Sequence, residues 1–337
     1  MRQVGIESWG VYLPEHQHTS EYIARETGIP EDVLEDKFGI RSKTVPGPDD
    51  HTVKMGAYAS IKALEKANLT PEDIDVIIWA GEVYAEHPMM TYGIKLQKYL
   101  GNPKKPWAFD INQRCGTFLV GMLIAKSFME TNPSIKRILI ASGYRNSDLI
   151  NYKNSRARFM TSLAASGVAA ILKADYQHNE ILGISVMTDG AFADDVYVPA
   201  GGTVMPISKK AIDENMIYLD VPDPEGLKER LDQKSMRAFI NVIDDALHKS
   251  NLTRDNINYL ALLHMKRSAY EYVAKEIGVD PYKQTIYLEN IGHNGQNDGI
   301  LSIDYGVKKG MIRSGNIVVI AAAGIGWAWN AGIIRWG

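Results

Sequence analysis

The sequence predicts an α/β protein built from two copies of one unit, and three observations carry that expectation. Residues 68–80, NLTPEDIDVIIWA, and residues 251–263, NLTRDNINYLALL, share Asn-Leu-Thr and then an acidic or amide turn that feeds a strand, at a constant offset of 183 residues. Fully apolar strand-like runs alternate with helical segments along both halves, the pattern of parallel sheets covered on both faces. The 337 residues are 45% hydrophobic and 23% charged, enough for a sizeable core and unlike a disordered chain. At roughly 150 residues per domain the length allows two units, divided here at 1–175 and 176–337. A repeat of this length in two copies is no solenoid; it reads as two halves packed about a pseudo-twofold.

Each element follows from its local pattern. The opening MRQVGIESWGVYLP alternates apolar and polar residues as a strand does. An amphipathic helix runs from Gly56 to Ala67 and its copy from Arg237 to Ser250. Thr70 and Thr253 suit the N-cap of a short turn, with Pro71 tolerated at the first helical position. Helix-like 92–101 and 269–278 each end in a glycine fit for a C-cap. Strands are expected at 108–112 and 286–290, then apolar helices from Gly116 to Glu130 and from Asp298 to Met311. Apolar strands at 137–142 and 316–322 close the two halves. The long apolar stretch from Ile317 to Ile334 is broken by Gly324-Ile325-Gly326 and by Asn330, so it reads as two strands about a glycine turn rather than a membrane span.

Composition removes several classes of function. Lys and Arg number 37 against 40 Asp and Glu, a net charge of −3, which argues against a broad nucleic-acid face while leaving room for a local basic pocket. One cysteine excludes an internal disulfide framework and a Cys-rich zinc site, and no metal is expected. The N-terminus lacks the basic head and apolar block of a signal peptide. A cytoplasmic protein without a membrane segment is the expectation.

That cysteine, Cys115, ends the segment AFDINQRCGTF and begins a helix. A thiol at a helix N-terminus meets the positive end of the macrodipole, which favours the thiolate, and Gly116 lets backbone approach a substrate closely. A lone cysteine is more often a small buried hydrophobe; its position argues otherwise. The matching place in the second half, at an offset of 177, is Gly292, beside His293 in NIGHNGQND. His264 closes the second-half strand at its carboxyl end, where open α/β sheets place ligands. His264, His293 and either Asn294 or Asp298 therefore have the placement to converge on the thiol as base and orienting groups. His16, His18, His51, His87, His178 and His248 lack such placement and read as structural.

These residues resemble the thiolase superfamily, and specifically β-ketoacyl-acyl-carrier-protein synthase III and its relatives. AFDINQRCGTF resembles the nucleophile segment, LLHMKRS stands where the family has His-Gln-Ala-Asn, and GHNGQND where it has Gly-Asn-Thr. VVIAAAGIGWAWNAGIIRW resembles the closing glycine-rich strand pair, and KFGIRSKT the Gly-Ile-Arg segment by the coenzyme A entrance. The resemblance spans essentially the whole chain. It implies thiolase-like duplicated halves in a layered αβαβα arrangement, a homodimer, and acyl thioesters of coenzyme A or an acyl carrier protein as substrates with no bound cofactor. It implies an acyl group carried on Cys115, an oxyanion held by the backbone N–H groups of Cys115 and Ile325, and coenzyme A or phosphopantetheine contacts from Lys37, Arg41, Arg156 and Arg158. In the family, a His and an Asn stabilise the enolate formed when a malonyl thioester decarboxylates, and its carbon attacks the acyl-cysteine to give a 3-oxoacyl product. Bulky residues between Tyr84 and Tyr92, at the acyl tunnel by resemblance, hint at a short acyl group.

The departures open alternatives. Of His-Gln-Ala-Asn only His264 is kept, and the residue after Gly292 is His293 rather than Asn, so either His293 or Asn294 faces the thiol. Gly-His-x-Gly-x-x-Asp, with Asp298 five residues after His293, resembles divergent synthase III-like acyltransferases with a Cys-His-Asp triad. There the carboxylate orients an imidazole able to deprotonate an alcohol, amine or thiol. The leading expectation is decarboxylative condensation; the alternatives are acyl transfer to oxygen or nitrogen, and a non-catalytic partner subunit.

Overall fold

A computed structural model describes residues 2–337. Strand β1 (Val4–Tyr12) opens the chain, and a short antiparallel pair, β2 (Gln17–Thr19) and β3 (Ser42–Thr44), brackets helices α1 (Ser20–Thr27) and α2 (Glu31–Val33). Then come α3 (Thr52–Lys66), β4 (Val76–Trp79), α4 (Tyr92–Tyr99), β5 (Trp107–Asp110), α5 (Thr117–Thr131) and β6 (Arg137–Tyr144). Strands β7 (Ser166–Ala174) and β8 (Glu180–Thr188) lead to α6 (Lys209–Asp213) and the long α7 (Pro224–Lys249). The chain finishes with β9 (Ile257–Leu262), α8 (Arg267–Glu276), α9 (Asp298–Lys308), β10 (Ile317–Gly324) and β11 (Ala328–Arg335).

The strands run in the order β5-β4-β6-β7-β1-β8-β11-β10-β9. Two blocks meet at one paired position between β1 and β8, Gly5 with Glu180. The pleat sorts side chains between layers. Ile77, Trp79, Leu139, Ala141, Ala169 and Ile171 point to the outer helices α3 and α4, where Val53, Ala57, Ala63 and Leu96 are buried. Val76, Ile78, Ile138, Ile140, Val168 and Ala170 point the other way, toward Phe118, Leu119 and Met122 of α5. Helix α5 packs on β6 and β7 of one block and on β8 and β11 of the other; α9 likewise touches β9 and β10 as well as β1 and β7. Helix α7 covers the far face of the second block, with α8 against it. The five layers are thus helix, sheet, helix, sheet, helix, with α5 and α9 in the middle. A helix wrapped on all sides must be apolar all round, and TFLVGMLIAKSFMET of α5 is nearly so.

The repeat is visible in the turns: Asp73 accepts hydrogen bonds from the N–H and hydroxyl of Thr70, and Asn256 does the same for Thr253. Several expectations need correction. Only β5-β4-β6 and β10-β9 are parallel; β7, β1, β8 and β11 pair antiparallel. Strands β7 and β8, rich in small apolar residues, carry little of the branched or aromatic signal of a strand. Residues 286–290 form no strand. They run outward to dock on β3, where Glu289 O accepts from the N–H groups of Arg41 and Ser42 and Ile291 O from that of Thr44. Helix α7 begins at Pro224, behind an Asp223 N-cap, thirteen residues before Arg237. Glycine-marked β10–β11 is a hairpin as expected, and no described helix is long and apolar enough to cross a membrane.

Candidate active site

Helices α5 and α9 each start with one 3₁₀ turn, Arg114–Gly116 and Gly295–Asn297. The structural offset is therefore 181, which sets Cys115 opposite Gln296; Gly292 lies upstream in a loop four residues longer than its counterpart. The duplication nonetheless brings the two helix starts together. Cys115, 5% exposed, has its Sγ 3.6 Å from His293 Nε2. On the far side of the ring, His293 Nδ1 lies 2.6 Å from Asp298 Oδ2.

Asp298 is fully buried at the first position of α9 and organises the loop around it. Its Oδ2 also accepts the backbone N–H of His264 at 2.8 Å, and its Oδ1 that of Asn294 at 2.8 Å. Burial opposes a charge on His293, but the charge and hydrogen bond of Asp298, with Cys115 beyond it, outweigh burial and raise the imidazole to about 10. His264 is the opposite case: burial, only partly offset by Asp298, holds it down to about 3, so it is neutral. Its ring lies 6.5 Å from that of His293 at 24°, and neither ring nitrogen has a hydrogen-bond partner. A buried imidazole with no partner leaves its polar atoms free for something that enters.

Asn294 turns away from the thiol: its Nδ2 donates to the carbonyls of Ile291 and Gly292 at 3.1 and 3.2 Å. The geometry thus puts His293, not Asn294, against Cys115. Ile325 sits in the β10–β11 turn beside Gly324, where a β-carbon would fall 2.5 Å from Gln113 O and 3.1 Å from Cys115 N. That contact brings the two turns together. Gly116 is needed for a different reason than substrate approach: a β-carbon there would come within 2.0 Å of Asn330 Nδ2. Fully buried Asn330 donates to Gln113 Oε1 at 2.7 Å and Gly116 O at 2.9 Å, lashing the terminal hairpin to the nucleophile turn.

The loop bearing His293 is held from below. His293 N–H donates to Ser162 O at 2.8 Å, and His293 O accepts from Ala164 N–H at 2.9 Å. Lys43, without exposed surface, donates to the flanking carbonyls of Thr161 and Leu163 at 2.7 and 2.8 Å, and burial lowers it to about 7. Behind the thiol only a cavity of about 10 Å³ remains, lined by Phe118, Leu119, Met122, Gln296, Ile300 and Ile320. That is about the room one water needs, so an acyl group lodged there must displace these side chains.

Other predicted residues are scattered. Arg41 is ion-paired with Glu35 and Glu289, and Arg156 with Asp220. Lys37 and Arg158 are exposed, and neither forms an ion pair among the described residues. Tyr84 and Met89 of the 84–92 loop face outward, Met89 fully. Sequence reasoning missed Lys43, Asn330 and Glu82. Glu82 had a signal: it follows VIIWAG at the carboxyl end of β4, the edge where α/β folds place ligands.

Two family models match the chain. One, described as 3-oxoacyl-[acyl-carrier-protein] synthase III, covers residues 109–190, and its C-terminal companion covers 247–336. A β-ketoacyl-[acyl-carrier-protein] synthase III of Caldanaerobacter subterraneus subsp. tengcongensis is 28% identical over 98% of this chain and 97% of its own. That of Clostridioides difficile is 25% identical over 99% and 98%. The crystal structure of the 3-oxoacyl-[acyl-carrier-protein] synthase III of Aquifex aeolicus superposes with a TM-score of 0.85 at 18% identity, covering 99% of this chain and 100% of that one. Fold and sequence together define a thiolase-superfamily enzyme of the condensing, acyl-transferring type. Within that class, the chain belongs to the 3-oxoacyl-[acyl-carrier-protein] synthase III family.

Proposed function

We propose that the chain is an acyl-thioester-dependent condensing enzyme that forms an acyl thioester on Cys115 and discharges it onto a malonyl-type thioester. The observation that carries this is a pair of stacked imidazoles, His293 against the Cys115 thiol and His264 6.5 Å from His293. In the first half-reaction the Cys115 thiolate attacks the acyl carbonyl; the oxyanion is held by the N–H groups of Cys115 and Ile325, and the departing thiolate takes the proton from His293. In the second, loss of carbon dioxide from the malonyl group leaves an enolate whose oxygen needs two donors. A neutral His264 supplies one N–H, and His293, re-protonated from solvent once the first thiol has left and held in that form by Asp298, supplies the other. The enolate carbon attacks the acyl carbonyl, the Cys115–acyl bond breaks, and a 3-oxoacyl thioester leaves. Preorganised donors of this kind typically contribute ~3 kcal/mol each.

Donors are coenzyme A or acyl-carrier-protein thioesters, met at the mouth by Lys37 and Arg158, with Arg41 and Arg156 behind their ion pairs. The enzyme works in the cytoplasm as a homodimer. Support for the dimer comes from β5, an outer strand of the sheet that carries Trp107, 52% exposed and stacked on Phe109; an apolar edge strand calls for a cover. A second reading, acyl transfer to a hydroxyl or amine, is favoured by the 2.6 Å His293–Asp298 contact, which suits a general base.

Intact-mass measurement after incubation with a panel of acyl-coenzyme A and acyl-carrier thioesters tests both readings. An adduct on the wild type and none on Cys115→Ala is expected, discharged by malonyl thioester. Discharge by hydroxy or amino acceptors alone would select the second reading, and no adduct from any donor would overturn both.

A further inference from the structure

Glu82 is a carboxylate with 2% of its surface exposed, and neither half-reaction above uses it. It sits in the turn after β4, and its Oε2 accepts a hydrogen bond from Arg114 Nη1 at 3.1 Å. Arg114 is the residue before the nucleophile. Its backbone is left-handed, with φ of 52°, a conformation that costs an L-residue with a long side chain roughly 1 kcal/mol. The side chain is 45% exposed, so burial does not hold it in place. The turn's backbone is tied on either side of Cys115: Gln113 N–H to the Thr117 hydroxyl at 2.7 Å, Arg114 N–H to Asn112 Oδ1 at 3.2 Å, and Gly116 O to Asn330. For the Arg114 side chain the tie is Glu82. Burial pushes Glu82 up, and Arg114, then Asn146 and His293, pull it back toward the carboxylate. Burying one partner of an ion pair is a poor way to gain stability, because an apolar side chain of similar volume does as well. The pair is better explained by what it holds.

We propose that Glu82 is a positioning residue, acting through Arg114 to fix the left-handed turn that aims Cys115 Sγ at His293 and its backbone N–H toward the acyl oxygen. This rests on Cys115 being the nucleophile, and it is tested without any acyl substrate. Glu82→Gln, Arg114→Met and the double variant are alkylated with iodoacetamide, and the rate at Cys115 is followed by mass from pH 5 to 10. Displacement of a reacting group by a fraction of an ångström costs roughly ten-fold or more, so each single variant is expected to slow alkylation by about that factor. The double variant is expected to be no slower than either single one, and Glu82→Asp to recover part of the rate. Equal folding is checked by circular dichroism. Wild-type rates in Glu82→Gln or Arg114→Met, or losses that multiply in the double variant, overturn the proposal. If Glu82→Gln does not fold, Arg114→Met with its exposed side chain decides alone. Normal alkylation effects in a protein that no thioester acylates would overturn the functional reading and leave the positioning role standing.

Discussion

Replacing Asp298 by Asn keeps the shape of the side chain and removes its charge. In the wild type the His293 imidazole is lifted from 6.5 to about 10 although burial opposes it. At 1.36 kcal/mol per unit that is about 5 kcal/mol of coupling, the largest part of it from the carboxylate 2.6 Å away. The single asparagine oxygen can accept only one of the two backbone N–H groups that Asp298 now holds on separate oxygens, so one anchor of the loop is lost as well, and nothing then sustains an imidazolium in a buried site at neutral pH. The thiolate loses its counterion with it. Alkylation of Cys115 by iodoacetamide at pH 7 is expected to fall by about two to three orders of magnitude, because a neutral imidazole no longer supports a thiolate beside it. Melting temperature controls for folding. An Asp298→Asn protein alkylated at the wild-type rate would refute the reasoning, because the reactivity of the thiol would then owe nothing to Asp298.

Four further outcomes follow from the same geometry. His264 is held at about 3 in the fold and titrates near 6.5 once unfolded, so stability is lost as pH falls below 6.5, by up to about 1.4 kcal/mol per unit; His264→Asn should flatten that acid limb in urea titrations, and an unchanged slope would count against it. His293, raised rather than lowered, stabilises fully below 6.5 and loses that contribution as pH climbs to about 10, a limb that Asp298→Asn should erase. Gly116→Ala forces Asn330 off two hydrogen bonds and should cost about 2–3 kcal/mol in thermal melts, where an unaltered melting temperature would contradict the contact. If Lys37 and Arg158 meet the coenzyme A moiety as proposed, Lys37→Ala and Arg158→Ala should raise KM for coenzyme A thioesters roughly two- to five-fold with kcat intact, more than Arg156→Ala, whose guanidinium is already held by Asp220.

How much was legible depended on range. Local rules found the strands of the repeat except 286–290, the Thr70 and Thr253 turns and the glycine hairpin, because each is written in adjacent residues. Cys115 stood out as a candidate because the chain has one cysteine, at a predicted helix start, and strand-end placement together with the family resemblance pointed to His264 and His293 as its neighbours. The choice between His293 and Asn294 was not legible. It turns on Asn294 capping the carbonyls of its own loop and on Gly292, at φ of 74°, reversing the chain there, neither of which has a signature in spacing. Lys43, Glu82 and Asn330 were missed for a common reason. Each is a polar residue made internal by partners 118, 32 and 217 positions away, and no window along the chain holds both ends.

The two readings of the reaction differ by one proton. In the free enzyme His293 lies between a thiol and a carboxylate, and both favour its charged form. Once Cys115 carries an acyl group the thiolate's share is gone and Asp298 alone holds the proton. If that suffices, Nε2 is a donor, the enolate oxygen finds N–H groups on both imidazoles, and condensation proceeds. If it does not, Nδ1–H stays on Asp298, Nε2 presents a lone pair, and the acyl-enzyme is set to deprotonate a hydroxyl or amine. Condensation should therefore fade as pH rises through the His293 value of the acyl-enzyme, while transfer should grow over the same range. A carboxylate 2.6 Å from the ring, buried and holding two backbone N–H groups in place, argues that the proton stays and that the donor form prevails at neutral pH.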